Sequence, residues 1–152
     1  MHAIRRAAIT IVVSLLVSGG LSGRLLAQTP CGGVFPVVRD ATVLQAFPTE
    51  ALGTNVQVGF GTYNGQGWAL LDFDLTALAD GIAIHEAQLE LDINSADLIP
   101  WPANLHLANG GWSESTVTWN TRPGIGPRLT QISSGIAGAG VASLDITALL
   151  NS

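Results

Sequence analysis

The sequence has no lysine, and only 11% of its 152 residues are charged, well under the ~25% of an ordinary globular domain. Nucleic-acid binding relies on Lys and Arg neutralising phosphates, so this scarcity argues against such a partner. It argues equally against an anionic lipid surface. A single cysteine, Cys31, makes an internal disulfide impossible. In an oxidising compartment it either pairs between chains or stays free. His85 and His106 form no zinc-like spacing. There is no Gly-x-Ser-x-Gly elbow and no His-Glu-x-x-His. Gly59-Phe60-Gly61 precedes no helical pattern, which removes a dinucleotide loop. Asp72 and Asp74 fall on one strand face ~6.6 Å apart, an ordinary spacing on any strand. The chain is therefore expected not to be an enzyme.

What is abundant points to β-structure. Hydrophobic residues make up 47% and glycines number 18. The first value argues against disorder. The second suits many short strands joined by tight turns.

The first 27 residues read as a secretory leader. Arg5 and Arg6 form a basic start, Ala7–Val17 is almost wholly apolar, and small residues follow at Ser18, Gly19 and Gly20. The run is too short for a membrane span of ~20 residues. Cleavage is expected after Ala27, with Gly19 as the alternative. Cys31 follows Pro30, a poor context for a lipid anchor. Without the leader, Arg39, Arg122 and Arg128 stand against 11 acids, a net charge of −8. The location expected is extracellular.

Residues 28–39 read as a lead segment and 40–152 as one domain. Ala41–Phe47 is a candidate strand ended by Pro48. Val56, Val58 and Phe60 alternate, and Thr62–Gly67 reads as a turn. Trp68–Leu75 follows, with Ala69, Leu71, Phe73 and Leu75 on the core face. Ala87, Leu89, Leu91 and Ile93 alternate with Glu86, Gln88, Glu90 and Asp92, the clearest half-buried strand. Further alternations run through Ala103–Leu107, Ser115–Trp119 and Ser143–Ile146, and Ser143–Leu150 can close as a helical turn. Ile132–Val141 is a weak strand, and no internal repeat is evident. This pattern predicts an all-β, antiparallel β-sandwich of jelly-roll type.

Four stretches carry a resemblance. They are Asp40-Ala41-Thr42-Val43 with Pro48-Thr49-Glu50 and Gly53-Thr54-Asn55; Ala69-Leu70-Leu71-Asp72-Phe73-Asp74-Leu75; Trp112-Ser113-Glu114-Ser115-Thr116-Val117-Thr118-Trp119-Asn120-Thr121-Arg122-Pro123; and Leu144-Asp145-Ile146-Thr147-Ala148-Leu149. Together they resemble the DNRLRE domain, also classed as family 96 of carbohydrate-binding modules. The resemblance implies an extracellular β-sandwich attached to polysaccharide-degrading or cell-wall proteins, with some members binding acidic polysaccharide such as alginate. Relatives commonly carry Arg or Lys where Asp72 stands here. A net charge of −8 repels a polyanion unless calcium bridges the two. The family pattern also continues past Leu149 with one or two further strands. The chain is accordingly expected to lack its last strands, as a fragment of a longer protein or one that borrows a strand from a partner.

The expected function is non-catalytic polysaccharide binding. The alternatives are a structural or adhesive cell-surface or matrix domain with no sugar site, or a fragment of a multidomain protein. Candidate carbohydrate contacts are Trp68 and Asp72, which share a strand face, then Glu90, His106 and the loop residue Trp101 between two prolines. Trp112 and Trp119 are expected in the core, with Glu114 and Arg122 pairing beside them. Asp40, Asp74, Asp92, Asn94 and Asp97 offer hard oxygen ligands and are weak candidates for structural calcium.

Overall fold

The computed structural model describes residues 2–13, 31–55, 58–62, 64–78, 84–95, 102–133 and 140–151. It is an antiparallel all-β sandwich with eight strands and one short helix among these residues. The elements are β1 (His2–Val13), β2 (Cys31–Leu44), β3 (Val58–Thr62), β4 (Gln66–Phe73), β5 (Ile84–Ser95), β6 (Pro102–Asn109), β7 (Gly124–Ser133), β8 (Gly140–Asp145) and α1 (Thr147–Leu150). Six strands form one sheet in the order β2-β4-β3-β1-β5-β8, and β6 and β7 pair as a separate hairpin.

The large sheet does not stay flat. The first half of β2 pairs with β1, Pro36 opposite Ala8 through Cys31 opposite Val13. Its second half pairs with β4. β3 divides likewise, with Val58–Phe60 on β1 and Gly61–Thr62 on β4. Two strands that change partners midway fold the sheet over its own apolar face.

The alternation in β5 sets that face. Ala87, Leu89, Leu91 and Ile93 are at most 4% exposed, and they form the main core with Val58, Ile84, Ala142, Leu144 and Ile146. Phe35, Val37, Phe60 and Leu105 pack against it, as do Ala69, Leu71, Phe73 and Leu75, the expected core face of β4. The opposite face of β2 and β4 carries a second core of Ala41, Val43, Leu70 and Val117, flanked by Trp68, Trp112 and Trp119. Both faces of this region are thus covered. Ala41–Leu44 is consequently buried without a break, and the Thr42 hydroxyl is satisfied by accepting the Gly59 N–H at 2.7 Å.

Several expectations change. Residues 31–39, expected as part of a lead, belong to β2: Phe35 and Val37 pack inward while Val34 and Val38 face solvent, an alternation that Gly32, Gly33 and Pro36 obscure. Ser115–Trp119 is not a strand. Its N–H groups bond locally, Thr116 and Val117 to the Ser113 carbonyl and Thr121 to the Thr118 carbonyl, while Thr118 N donates to the Thr121 hydroxyl. Side-chain hydroxyls that satisfy nearby backbone compete with ladder pairing. Most of β7 lies where the sequence shows no strand alternation, because Gly124, Gly126 and Pro127 interrupt it; residues 134–139 of the weak strand Ile132–Val141 lie outside the described residues.

A short repeat also emerges. Asp74-Leu75-Thr76-Ala77-Leu78 and Asp145-Ile146-Thr147-Ala148-Leu149 end β4 and β8 in the same way. The first aspartate accepts from the Thr76 N–H at 3.0 Å and the Thr76 hydroxyl at 2.6 Å, and the second accepts from the Thr147 N–H at 2.9 Å. These bonds hold both carboxyls below the usual carboxylate value. Leu75, Leu78 and Leu149 then lie against the main core. After the second turn, Asn151 clamps the start of β5: its Oδ1 accepts the Ile84 N–H at 3.0 Å and its Nδ2 donates to the Ile84 carbonyl at 2.8 Å.

Two stability predictions follow from these contacts. A β-carbon at Gly53 would lie 1.8 Å from the Glu114 carbonyl oxygen, so Gly53→Ala is expected to cost about 1–3 kcal/mol in urea denaturation. Asp74→Ala and Asp145→Ala are expected to destabilise at pH 7. A lowered carboxyl contributes above its unfolded value and loses that contribution as pH falls through the folded one. The difference from wild type should therefore vanish in acid, below the ordinary carboxylate range; thermal melts across pH 2–7 check this.

Candidate functional site

The third resemblance stretch forms a loop over the outer face of β2 and β4. Asn120 N–H donates to the Pro48 carbonyl at 3.1 Å and anchors it. Arg122 holds its centre. The guanidinium carbon lies 3.8 Å from the Trp119 ring centroid and 4.4 Å from that of Trp68, and Nη1 donates to the Trp119 carbonyl. The two indoles are 5.0 Å apart and tilted by 59°. The cation thus rests between two π-faces, a favourable arrangement for a delocalised guanidinium. Its Nε is buried without a hydrogen-bond partner. Arg122 therefore stacks on indoles rather than pairing with Glu114.

Arg39 does a related task one strand away. It is the cross-strand partner of Asp72. Its Nε donates to Asp72 Oδ2 at 2.9 Å, Nη2 donates to the same oxygen, and Nη1 reaches the Trp112 carbonyl at 2.9 Å. The pair is part-exposed, so its contribution to stability is small, ~0–1 kcal/mol. Its effect is positional: it ties Trp112 to β2 and occupies the Asp72 carboxylate.

A cleft of about 500 Å³ opens where β3 leaves β4, between the β4 edge and the β6–β7 hairpin. The hairpin joining β3 to β4 turns at Asn64 and Gly65, with φ of 49° and 134°, which Asn and Gly tolerate best. This tight turn sets Gln66 and Gly67 at the cleft rim. Trp68, Ala69, Leu71, Leu91 and Leu105 supply apolar wall, and Gln66, Asn104 and His106 supply hydrogen-bonding groups. His106 Nδ1 lies 3.1 Å from the Gly126 carbonyl. A carbonyl only accepts, so Nδ1 is the donor in this contact. Asn104 Oδ1 accepts from Gln131 Nε2 at 3.4 Å.

The structure therefore brings two predicted contacts, Trp68 and His106, to one cleft. Trp68 is half-buried there, with Arg122 over its ring. Asp72 is engaged by Arg39. Glu90 is exposed on the outer face of β5, opposite in parity to Leu91, and so stands apart from the cleft. Trp101 lies outside the described residues. Sequence reasoning missed Gln66 and Asn104 as wall groups; the Asn64-Gly65 hairpin signal just before Gln66 could have marked the first.

The weak calcium candidates are dispersed. Asp74 serves its Thr76 turn. Asp92 is on the outer face of β5. Asp97 and the Asn94 side chain lie outside the described residues. Asp40 is partly buried on β2; burial, and then the negative charge of Glu114, hold its carboxyl above the ordinary value. No group of three His, Cys, Asp or Glu side chains gathers among the described residues.

Arg122→Ala is expected to lower stability by about 1–2 kcal/mol, from the loss of two stacked faces, and to shift tryptophan emission; Arg122→Lys should restore little, since an ammonium lacks the planar fork. Denaturation followed by fluorescence checks both. Asp40 titrates with the opposite sign to Asp74. A raised carboxyl penalises the fold once ionised, so Asp40→Asn should be more stable than wild type at pH 7, with the gain closing in acid.

No helix among the described residues is long and apolar enough to cross a membrane. No curated protein and no solved structure matches the chain. The family model that does match spans residues 34–152, from Val34 in β2 through β8 and α1, with both cores and every wall of the cleft: the chain belongs to carbohydrate-binding module family 96.

Proposed function

We propose that the protein is an exported, non-catalytic module that binds polysaccharide in the cleft between β4 and the β6–β7 hairpin. The observation that carries this reading is the cleft wall itself. A half-buried indole and leucine side chains offer apolar surface to a sugar ring, while Gln66, Asn104 and His106 offer donors and acceptors to its hydroxyls. Few polar groups placed among apolar ones is the usual make-up of a ligand site.

Charge directs the choice of glycan. Of the arginines outside the leader, Arg39 is bound to Asp72 and Arg122 to the tryptophans. Arg39 and Arg122 are thus already engaged, which leaves Arg128, exposed and opposite His106 in the β6–β7 ladder, on a chain with 11 acids. A neutral polysaccharide is favoured, with calcium-bridged binding of an acidic one as the second form. Calcium would act between protein and ligand carboxylates in that form.

The test is a glycan array probed with wild type, Gln66→Ala, His106→Ala and Glu90→Ala, each with calcium and with chelator. We expect a neutral glycan to be retained in chelator, to weaken about tenfold or more in Gln66→Ala and His106→Ala, one or two lost hydrogen bonds, and to be unchanged in Glu90→Ala. Binding lost in Glu90→Ala and kept in the other two would place the ligand on the outer β5 face. A folded wild type that retains no glycan under either condition would favour the structural or adhesive role.

A further inference from the structure

The cleft wall carries no charge. Among the described residues, no Asp, Glu, Lys or Arg side chain lines it, although the chain has 11 acids. Its hydrogen-bonding side chains are two carboxamides, Gln66 and Asn104, and the His106 ring, with the indole of Trp68. Gln66 is held by its backbone. Its N–H donates to Gln45 Oε1 at 3.0 Å, and its carbonyl accepts from the Gln45 N–H at 2.9 Å. Its own carboxamide makes no hydrogen bond among the described residues, so a donor and an acceptor are both available there. Asn104 gives its oxygen to Gln131 and keeps its amide hydrogens.

The apolar wall is an opening onto the main core. Leu91 belongs to that core, and Phe60, Leu71 and Leu105 pack against it while only partly buried. Trp68 offers less stacking surface than a free indole, because Arg122 lies over its ring. The ligand's apolar contact therefore falls largely on aliphatic side chains. A sugar that carries only hydroxyls fits such a wall poorly, since hydroxyls pressed on hydrocarbon lose water and gain no partner. A charged substituent fits worse, because no opposite charge meets it. An acetamido group answers each feature. Its methyl is small and apolar, its N–H needs an acceptor, and its carbonyl needs a donor. A side-chain carboxamide supplies both of the latter in one plane.

We propose, on the reading that the cleft binds glycan, that its ligand is a neutral polysaccharide bearing 2-acetamido sugars. The Gln66 carboxamide exchanges two hydrogen bonds with the acetamide, and the methyl rests on Leu71 and Leu105. Asn104 and the second ring nitrogen of His106 are left for the ring hydroxyls.

The test uses matched pairs of neutral oligosaccharides, equal in linkage and length, that differ only in an acetamido or a hydroxyl group at C2. Pairs of several linkages are immobilised and probed with wild type, Gln66→Leu and Glu90→Ala. The acetamido member of a bound pair is expected to be held tenfold or more tighter than its hydroxyl partner, for one or two hydrogen bonds and a buried methyl. Gln66→Leu is expected to bring the two members within about threefold of each other, and Glu90→Ala to leave their ratio unchanged. Gln66 is exposed, so the variant should melt as wild type does. Hydroxyl members bound as tightly as acetamido members, or a preference that survives Gln66→Leu, would overturn the proposal while leaving the cleft a glycan site. A folded wild type that retains neither member of any pair would overturn the proposal together with the reading it rests on.

Discussion

Everything in this fold depends on keeping β5 paired along both edges and dry on one face. Its inner row of Ala87, Leu89, Leu91 and Ile93 anchors the main core. A strand buried on that face cannot leave its backbone groups unpaired, because no water reaches them to compensate. The rest of the architecture answers this requirement. β8 closes one edge and β1 the other. Asn151 pairs the first residue of the strand with an amide side chain, and Thr147 receives the Ala87 N–H. The outer face, with Glu86, Gln88, Glu90 and Asp92, is left to solvent and gives the sheet its polar side.

The second organising contact is the stack of Trp68, Arg122 and Trp119. It links a loop without regular structure to the outer face of β4, and so converts that face into a second core. A loop held this way costs few backbone ladder bonds, because its own hydroxyls satisfy its turns. The same stack fixes the rotamer space of Trp68 at the cleft. One indole thus joins the second core to the cleft, with Arg122 on its ring.

Much of this was legible in the sequence, for physical reasons that vary by element. β5 was plain because its two faces meet opposite environments, and parity in β4 correctly put Ala69, Leu71 and Phe73 on the main core. Parity could not show that the other face of β4 is also covered, since that depends on a loop some forty residues later. The pattern places Trp112 and Trp119 in the core but makes Ser115–Trp119 look like a strand, because serine and threonine alternate with apolar residues in turns as well as strands. β7 was hidden by glycine and proline. The paired Asp-x-Thr-Ala-Leu closures were missed because they are five residues long, too short to register as a repeat. For the site, sequence gave faces but not neighbours. Trp68 and His106 meet only because the β6–β7 hairpin lies beside the edge that β3 vacates, and Glu90 is separated from them by one step of parity from Leu91.

The account's central claim is that a module of family 96 receives sugar at this cleft, with Trp68 and His106 in contact with the same ligand. Nuclear magnetic resonance of the folded protein tests it most directly, by titrating a neutral oligosaccharide and following the Trp68 indole N–H, the His106 ring and the amides of β5. The account predicts saturable shifts at Trp68, His106 and Gln66, with the amide of Glu90 unmoved. Shifts gathered along Glu86, Gln88 and Glu90, with Trp68 and His106 silent, would contradict it.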